Sequence, residues 1–231
     1  MGHRSFSLVD HKVAEAEFFL EHLRGCGFNI FAFRCFCSGF VSSARSITFS
    51  LQAVLADASG FPDWYSRHQG RLRSDPTARF FHEFRTVNQH IGDNLVGGGV
   101  FGRDIGHRYL FTPTQEIPNV PDGDAVEACS VYFTALLEIV YDCYLSFGPI
   151  IDAKQRYTAE HFQSLGMSIE DAEEELGYPR GWTDIGDPRA TPYRWQVLRD
   201  QQAGCEIDHI FEKYLGRVTP RPGRLPPYGE T

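Results

Sequence analysis

Between residues 124 and 147, the polar side chains Glu127, Ser130, Thr134, Glu138 and Asp142 recur every three or four positions, and most positions between them are apolar. On an α-helix that spacing leaves one narrow wet stripe, so the rest of the circumference must be covered by protein. A chain with such a helix has to supply several partners around it, and the other periodicities provide them. Val13, Ala16, Phe19, Leu20 and Leu23 make an apolar stripe on a helix over 10–24, with Asp10 as its cap and Gly25 and Gly27 ending it. A long helix over 30–58 carries Phe33, Cys37, Phe40, Ala44, Ile47, Leu51 and Val54. Its small residues Gly39, Ser42, Ser43 and Ala44 let a neighbouring backbone approach. After Gly60-Phe61-Pro62, Asp63 caps a short helix to about Gln69. Ser74 or Asp75 then caps another, with Pro76 in its first turn and Phe80, Phe84, Val87 and Ile91 on one face up to Gly92.

The pattern predicts an all-α (mainly α) chain, an antiparallel four-helix bundle over 8–148. From 93 to 124 it is interrupted by a loop or hairpin insertion, with Gly97-Gly98-Gly99 and a short strand at His107 to Phe111. A helical extension over 149–216, expected to pack on the bundle, contains a helix opened by Thr158 and Glu160. Ser168 then leads into the acidic run Glu170 to Leu176, and a last helix runs from Pro192 to Tyr214 with a break at Gly204. The tail over 217–231, with Pro220, Pro222, Pro226 and Pro227, reads as extended.

With 42% hydrophobic residues, 19 Phe and 10 Tyr among 231 positions, the chain can fill a core without disulfides or metals. A net charge of −8 argues against binding nucleic acid through a global positive field, so any RNA site is a local patch. Only Lys12, Lys154 and Lys213 of the 22 basic residues are lysines; the others are arginines, which suit forked contacts to phosphate or carboxylate. The start of the chain does not read as a signal peptide, and Arg34, Ser38, Ser42, Ser43 and Arg45 break up the apolar stretches. No membrane span is therefore expected, and the six cysteines read as reduced thiols of a cytoplasmic protein.

Phe84-Arg85-Thr86-Val87-Asn88-Gln89-His90 has the form R-x4-H. Together with the run from Asp63-Trp64-Tyr65 through Asp75-Pro76 to Phe80-Phe81, it resembles the HEPN superfamily, helical-bundle domains of which many are metal-independent ribonucleases marked by R-x4–6-H. The resemblance covers about residues 10–147, and its motif fixes two residues. It implies an endoribonuclease of toxin or defence type with catalytic Arg85 and His90. It also implies a site shared across a homodimer, RNA or nucleotide as ligand, and a neutralising protein partner.

On a helix, residues five apart lie about 140° around the axis, so Arg85 and His90 flank a polar side that also holds His82, Thr86 and Gln89. His90 would serve as general base or acid for attack of a 2′-hydroxyl on the adjacent phosphate, and Arg85 would meet charge developing on the phosphoryl oxygens. His82, Gln89, Arg71 and Arg73 are the candidates for substrate binding, within a basic cluster of Arg67, His68, Arg71, Arg73 and Arg79.

The residue after the arginine, often Asn, Asp or His in active family members, is Thr86 here. Two alternatives stay open. One is a non-catalytic HEPN-like module that binds nucleotide, RNA or a protein. The other is a helical protein with a coincidental pattern, since Arg156-x4-His161 has the same form.

No cofactor or metal is expected. Cys35 and Cys37 point about 200° apart on a helix and no CxxC pair exists. The thiols are read as buried and free. No Glu-x-x-His occurs on the 124–147 helix, and Gly97 to Gly99 lacks the lysine of a phosphate loop.

Overall fold

The computed structural model describes residues 5–90, 95–102, 106–226 and 228, without the side chains of 89, 90, 100–102 and 106. The chain is mainly helical, with ten α-helices and one two-stranded sheet among the described residues. It divides into two compact units, Met1–Val140 with Ile210–Gly216, and Tyr141–His209 with Arg217–Thr231. The division falls inside a helix rather than at 148.

In the first unit, α1 (Ser7–Gly25) is followed by α2 (Ile30–Leu55), α3 (Phe61–Ser74) and α4 (Pro76–His90). Asp10 does not cap α1. The helix begins a turn earlier because Phe6 and Val9 are also buried, and Asp10 itself is 3% exposed. Asn29 caps α2, accepting from the Ala32 N–H at 3.0 Å. At Gly39 of α2 a ring fills the space, since a Cβ there would stand 2.6 Å from the Phe19 ring of α1.

Helix α3 runs on past Gln69 to Ser74. It starts from Gly60, whose left-handed φ of 79° suits glycine, and its Trp64, Tyr65 and His68 are all buried. Asp75 caps α4, accepting from the Ala78 N–H at 2.7 Å.

Strands β1 (Val96–Gly102) and β2 (Gly106–Phe111) form an antiparallel hairpin in the region read as a loop or hairpin insertion; β2 covers the strand expected at His107 to Phe111, and β1 is its unexpected partner. The glycines belong to the strand because of what lies over them. A Cβ at Gly97 would strike Thr112 Oγ1, and one at Gly99 the His107 ring. The hairpin's buried aromatics turn to the helices. Tyr109 lies 3.9 Å from Phe33 by ring centroid and donates to the Gly27 carbonyl at 2.9 Å, while Phe111 meets Phe80, Phe81 and Phe84.

Asp124 then caps α5 (Ala125–Ile151), accepting from the Val126 N–H. As its narrow polar stripe requires, Ala125, Cys129, Phe133, Leu136, Leu137 and Val140 are fully buried. Contrary to the expectation from the interrupted apolar stretches, α5 is long and apolar enough to cross a membrane by length and composition alone. Of its apolar window, 61% is buried inside the protein.

The second unit holds the rest of α5, α6 (Ala153–Arg156), α7 (Ala159–Ser164), α8 (Ile169–Glu175) and α9 (Thr191–Asp200). Thr158 caps α7 and Ser168 closes a capping box with Asp171 on α8. Tyr157, Phe162, Ile169, Ala172, Trp195 and Leu198 form the unit's core. The single helix expected over Pro192 to Tyr214 is two: α9 ends at Asp200 and α10 (Asp208–Leu215) begins after 201–207. The interruption is wide because Gly204 sits against Lys154 and Asp152, where a Cβ would meet Lys154 Cγ at 2.6 Å, and because Ile207 is buried. The tail is extended, as read, but fastened. Thr219 N–H donates to Asp208, Leu225 N–H to Gln196 Oε1 at 2.7 Å, and the Tyr228 hydroxyl to Asp187.

The expectation of buried thiols holds for Cys37, Cys129 and Cys143 but not for Cys35, which is exposed, or for the partly exposed Cys26 and Cys205.

Candidate functional site

Four helices of the first unit converge on a cleft of about 450 Å³. Tyr65, Gln69 and Arg73 face it from α3 at four-residue spacing, which aligns them along one side of that helix. Arg79, His82 and Glu83 come from α4, Arg45 from α2 and Tyr132 from α5.

Arg45 is half-buried and held from behind. Its Nη1 donates to Thr48 Oγ1 at 2.8 Å, and its guanidinium lies 4.5 Å from the Phe49 ring centroid. Tyr65 accepts from Gln52 Nε2 at 3.0 Å. Burial raises the Tyr65 phenol pKa against the pull of Arg45 and Arg73, and pushes that of Tyr132 to about 12, so both hydroxyls remain protonated donors at neutral pH. The Tyr132 ring is fixed by a parallel stack on Phe81, 4.7 Å away and tilted by 9°.

Among the described residues, none of Arg45, Arg73, Arg79 and Arg85 forms an ion pair, whereas Arg24, Arg156, Arg180, Arg189, Arg194 and Arg221 all do. One carboxylate, Glu83, lines the cleft against three guanidiniums and an imidazole. Such a set of planar donors is suited to a multiply charged oxyanion.

His82 reports the field of that set. Burial lowers its pKa first, Arg45 and Arg85 lower it further, and Glu83 opposes them. A bound anion would reverse the electrostatic part, so affinity is expected to rise as pH falls below about 6.5, the usual histidine value. Direct titration of anion binding from pH 8 to 5 measures this slope, and His82→Gln flattens it.

Of the residues singled out in the sequence, the cleft brings together Arg73 and His82. Arg71 lies off the lining and is exposed. Arg85 stands one turn beyond His82, half-buried, with its Nε enclosed and without a hydrogen-bond partner among the described residues. Gln89 and His90 end α4, and their side chains lie outside the described residues. Thr86 bonds back to the His82 carbonyl and Asn88 donates to Ser38 Oγ at 2.7 Å. Arg45, Tyr65 and Tyr132 were not singled out, and Arg79 only as part of the basic cluster. Arg45 had a visible signal: it is the one charge between Arg34 and Asp57.

Among the described residues no three His, Cys, Asp or Glu side chains converge as a metal site. No protein-family model, curated protein or solved structure matches the chain.

Proposed function

We propose that the first unit is a HEPN-like antiparallel four-helix bundle of α1, α2, α4 and α5 that binds RNA or a nucleotide through the phosphate groups. The bundle reading is supported by the short link between α1 and α2 and by the ring contacts of Phe40 with Phe81 and Phe133, which join α2, α4 and α5. The observation that carries the ligand class is the three arginines without ion pairs around one cleft. Arginines that outnumber the one carboxylate of a cleft and form no ion pair among the described residues are usual equipment for phosphate oxygens.

Binding of a fluorescent single-stranded RNA at physiological salt tests the reading. The wild type binds, and Arg45→Ala/Arg79→Ala weakens binding at least about tenfold and lowers the salt slope by about one per arginine. Absence of binding to RNA and to ATP alike would sink the proposal.

A second reading is favoured by the enclosed Arg85 Nε, which has no hydrogen-bond partner among the described residues and lies near enough to His82 to lower its pKa. Arg85 and His90 would then cleave RNA without a metal, His90 moving the 2′-hydroxyl proton and Arg85 meeting the phosphoryl charge. One chain supplies one such pair, so this reading includes a homodimer. It expects EDTA-resistant cleavage that leaves cyclic phosphate ends and disappears in Arg85→Ala/His90→Ala. RNA bound but left intact returns the site to the binding role.

A further inference from the structure

The second unit has a larger cleft of its own, about 620 Å³, between α9, the start of α6 and the tail segment Arg221–Arg224. Lys154, Arg199, Arg221 and Arg224 line it against one carboxylate, Asp200.

Arg199 is 9% exposed and has no ion pair among the described residues. Its Nη1 donates to the Tyr157 carbonyl at 3.1 Å. Burial without a carboxylate contact holds its pKa below the usual arginine range, and Asp200 and Glu160 only partly offset this. Keeping a guanidinium in such a place is costly unless an anion meets it. The Lys154 ammonium is drawn to the same corner by the Arg199 carbonyl. Asp152, a buried acid at the start of α6, is already engaged, with Oδ1 accepting from the Lys154 N–H and Oδ2 from Gln155. Arg221 is the exception, being paired with Asp208.

The tail that closes the cleft is anchored on both sides, by Thr219 on Asp208 and by Leu225 on Gln196, so Arg224 is presented from a fixed segment. The lining includes Gln196, Pro222 and Gly223 and no aromatic ring, which gives a base or sugar nothing to stack on.

We propose that this cleft binds a small oligophosphate, recognising the charge of the phosphate chain through Lys154, Arg199 and Arg224. The site is separate from the cleft of the first unit and independent of the RNA reading.

Calorimetric titration of the full chain carrying Arg45→Ala/Arg79→Ala, which takes the first cleft out of the count, with inorganic tripolyphosphate at physiological ionic strength tests it. One site per chain is expected, with Lys154→Ala and Arg224→Ala each weakening it about tenfold or more, since each removes a charge-assisted contact. Arg224 is exposed on the tail, so its loss leaves the fold intact. ATP binds within about threefold of tripolyphosphate, because tenfold corresponds to one well-made contact that this lining lacks. In the wild type, uptake of tripolyphosphate by the first cleft adds to this site. Bound tripolyphosphate also slows tryptic cleavage after Arg224. The proposal is overturned by absence of binding in that background, by equal affinity when Lys154→Ala or Arg224→Ala is added, or by ATP binding more than about tenfold tighter.

Discussion

Phe81→Ala is expected to destabilise the first unit by about 3–5 kcal/mol, the range for removing a fully buried phenylalanine. Its ring is 1% exposed and contacts three other elements as well as its own helix. It stacks face to face on Tyr132 of α5 and meets Phe40 of α2, Phe80 of α4 and Phe111 of β2, at centroid distances between 4.7 and 5.9 Å. Truncation leaves a void walled by other rings, which cannot collapse into it without leaving their rotamers. Urea unfolding of the full chain measures the effect. Phe31→Ala, removing a ring that is 76% exposed, serves as the control and is expected to stay within about 0.5 kcal/mol. The variant also disturbs the cleft, because Tyr132 loses the surface that fixes its hydroxyl, so RNA affinity should fall with stability. A cost below about 1 kcal/mol would mean that Phe81 does not tie these elements together.

The structure shows which physical signals were local enough to read from the chain. Caps were: Asp75, Thr158 and Ser168 each bond a backbone N–H two or three residues on, so their sequence context is their structural context. The burial of α5 was legible too, because one narrow polar stripe admits few surroundings. The hairpin was half legible: the strand read at His107 to Phe111 is β2, but its partner was not visible. Gly97 to Gly99 carry no alternating side chains, and what stands over Gly97 and Gly99 is a Thr112 hydroxyl from just after β2 and a His107 ring from within it.

The cleft was half legible for a similar reason. His82 and Arg73 stand in a visibly polar neighbourhood, but Tyr132 looks like filler until α3 brings Tyr65 alongside. The choice between Arg71 and Arg73 depended on the length of α3. Once that helix continues past Gln69, the four-residue step from Tyr65 and Gln69 selects Arg73 for the lining and leaves Arg71 off it.

Glu173→Ala is expected to cost the second unit about 3–5 kcal/mol, the penalty for stripping one partner from a buried ion pair. The Glu173 side chain is fully buried and organises the turn after α8. Oε1 accepts from the Thr183 N–H at 2.8 Å, from the Thr183 hydroxyl at 2.5 Å and from Arg194 Nη2 at 3.2 Å, and Oε2 accepts from the Gly181 N–H. Arg194 is itself buried and also reaches Glu170. Alanine leaves the donors of 181 and 183 without an acceptor and a guanidinium with half its counter-charge.

Glu173→Gln keeps an acceptor oxygen and loses the charge, so its cost should fall between those of wild type and alanine. Glu173→Leu/Arg194→Leu removes both charges and should recover part of the loss. Acid sensitivity follows with a definite sign. Burial raises the Glu173 pKa, but the bonds from Thr183, Arg194 and Gly181 outweigh it and leave the carboxyl below its ordinary value. Its stabilising contribution is therefore complete above the unfolded glutamate pKa and is lost as pH falls through the depressed folded one. Denaturation curves from pH 7 down to about 3 should show a steeper acid loss in the wild type than in Glu173→Gln. Equal acid limbs, or a glutamine variant as costly as alanine, would place the value of this residue in its shape rather than its charge.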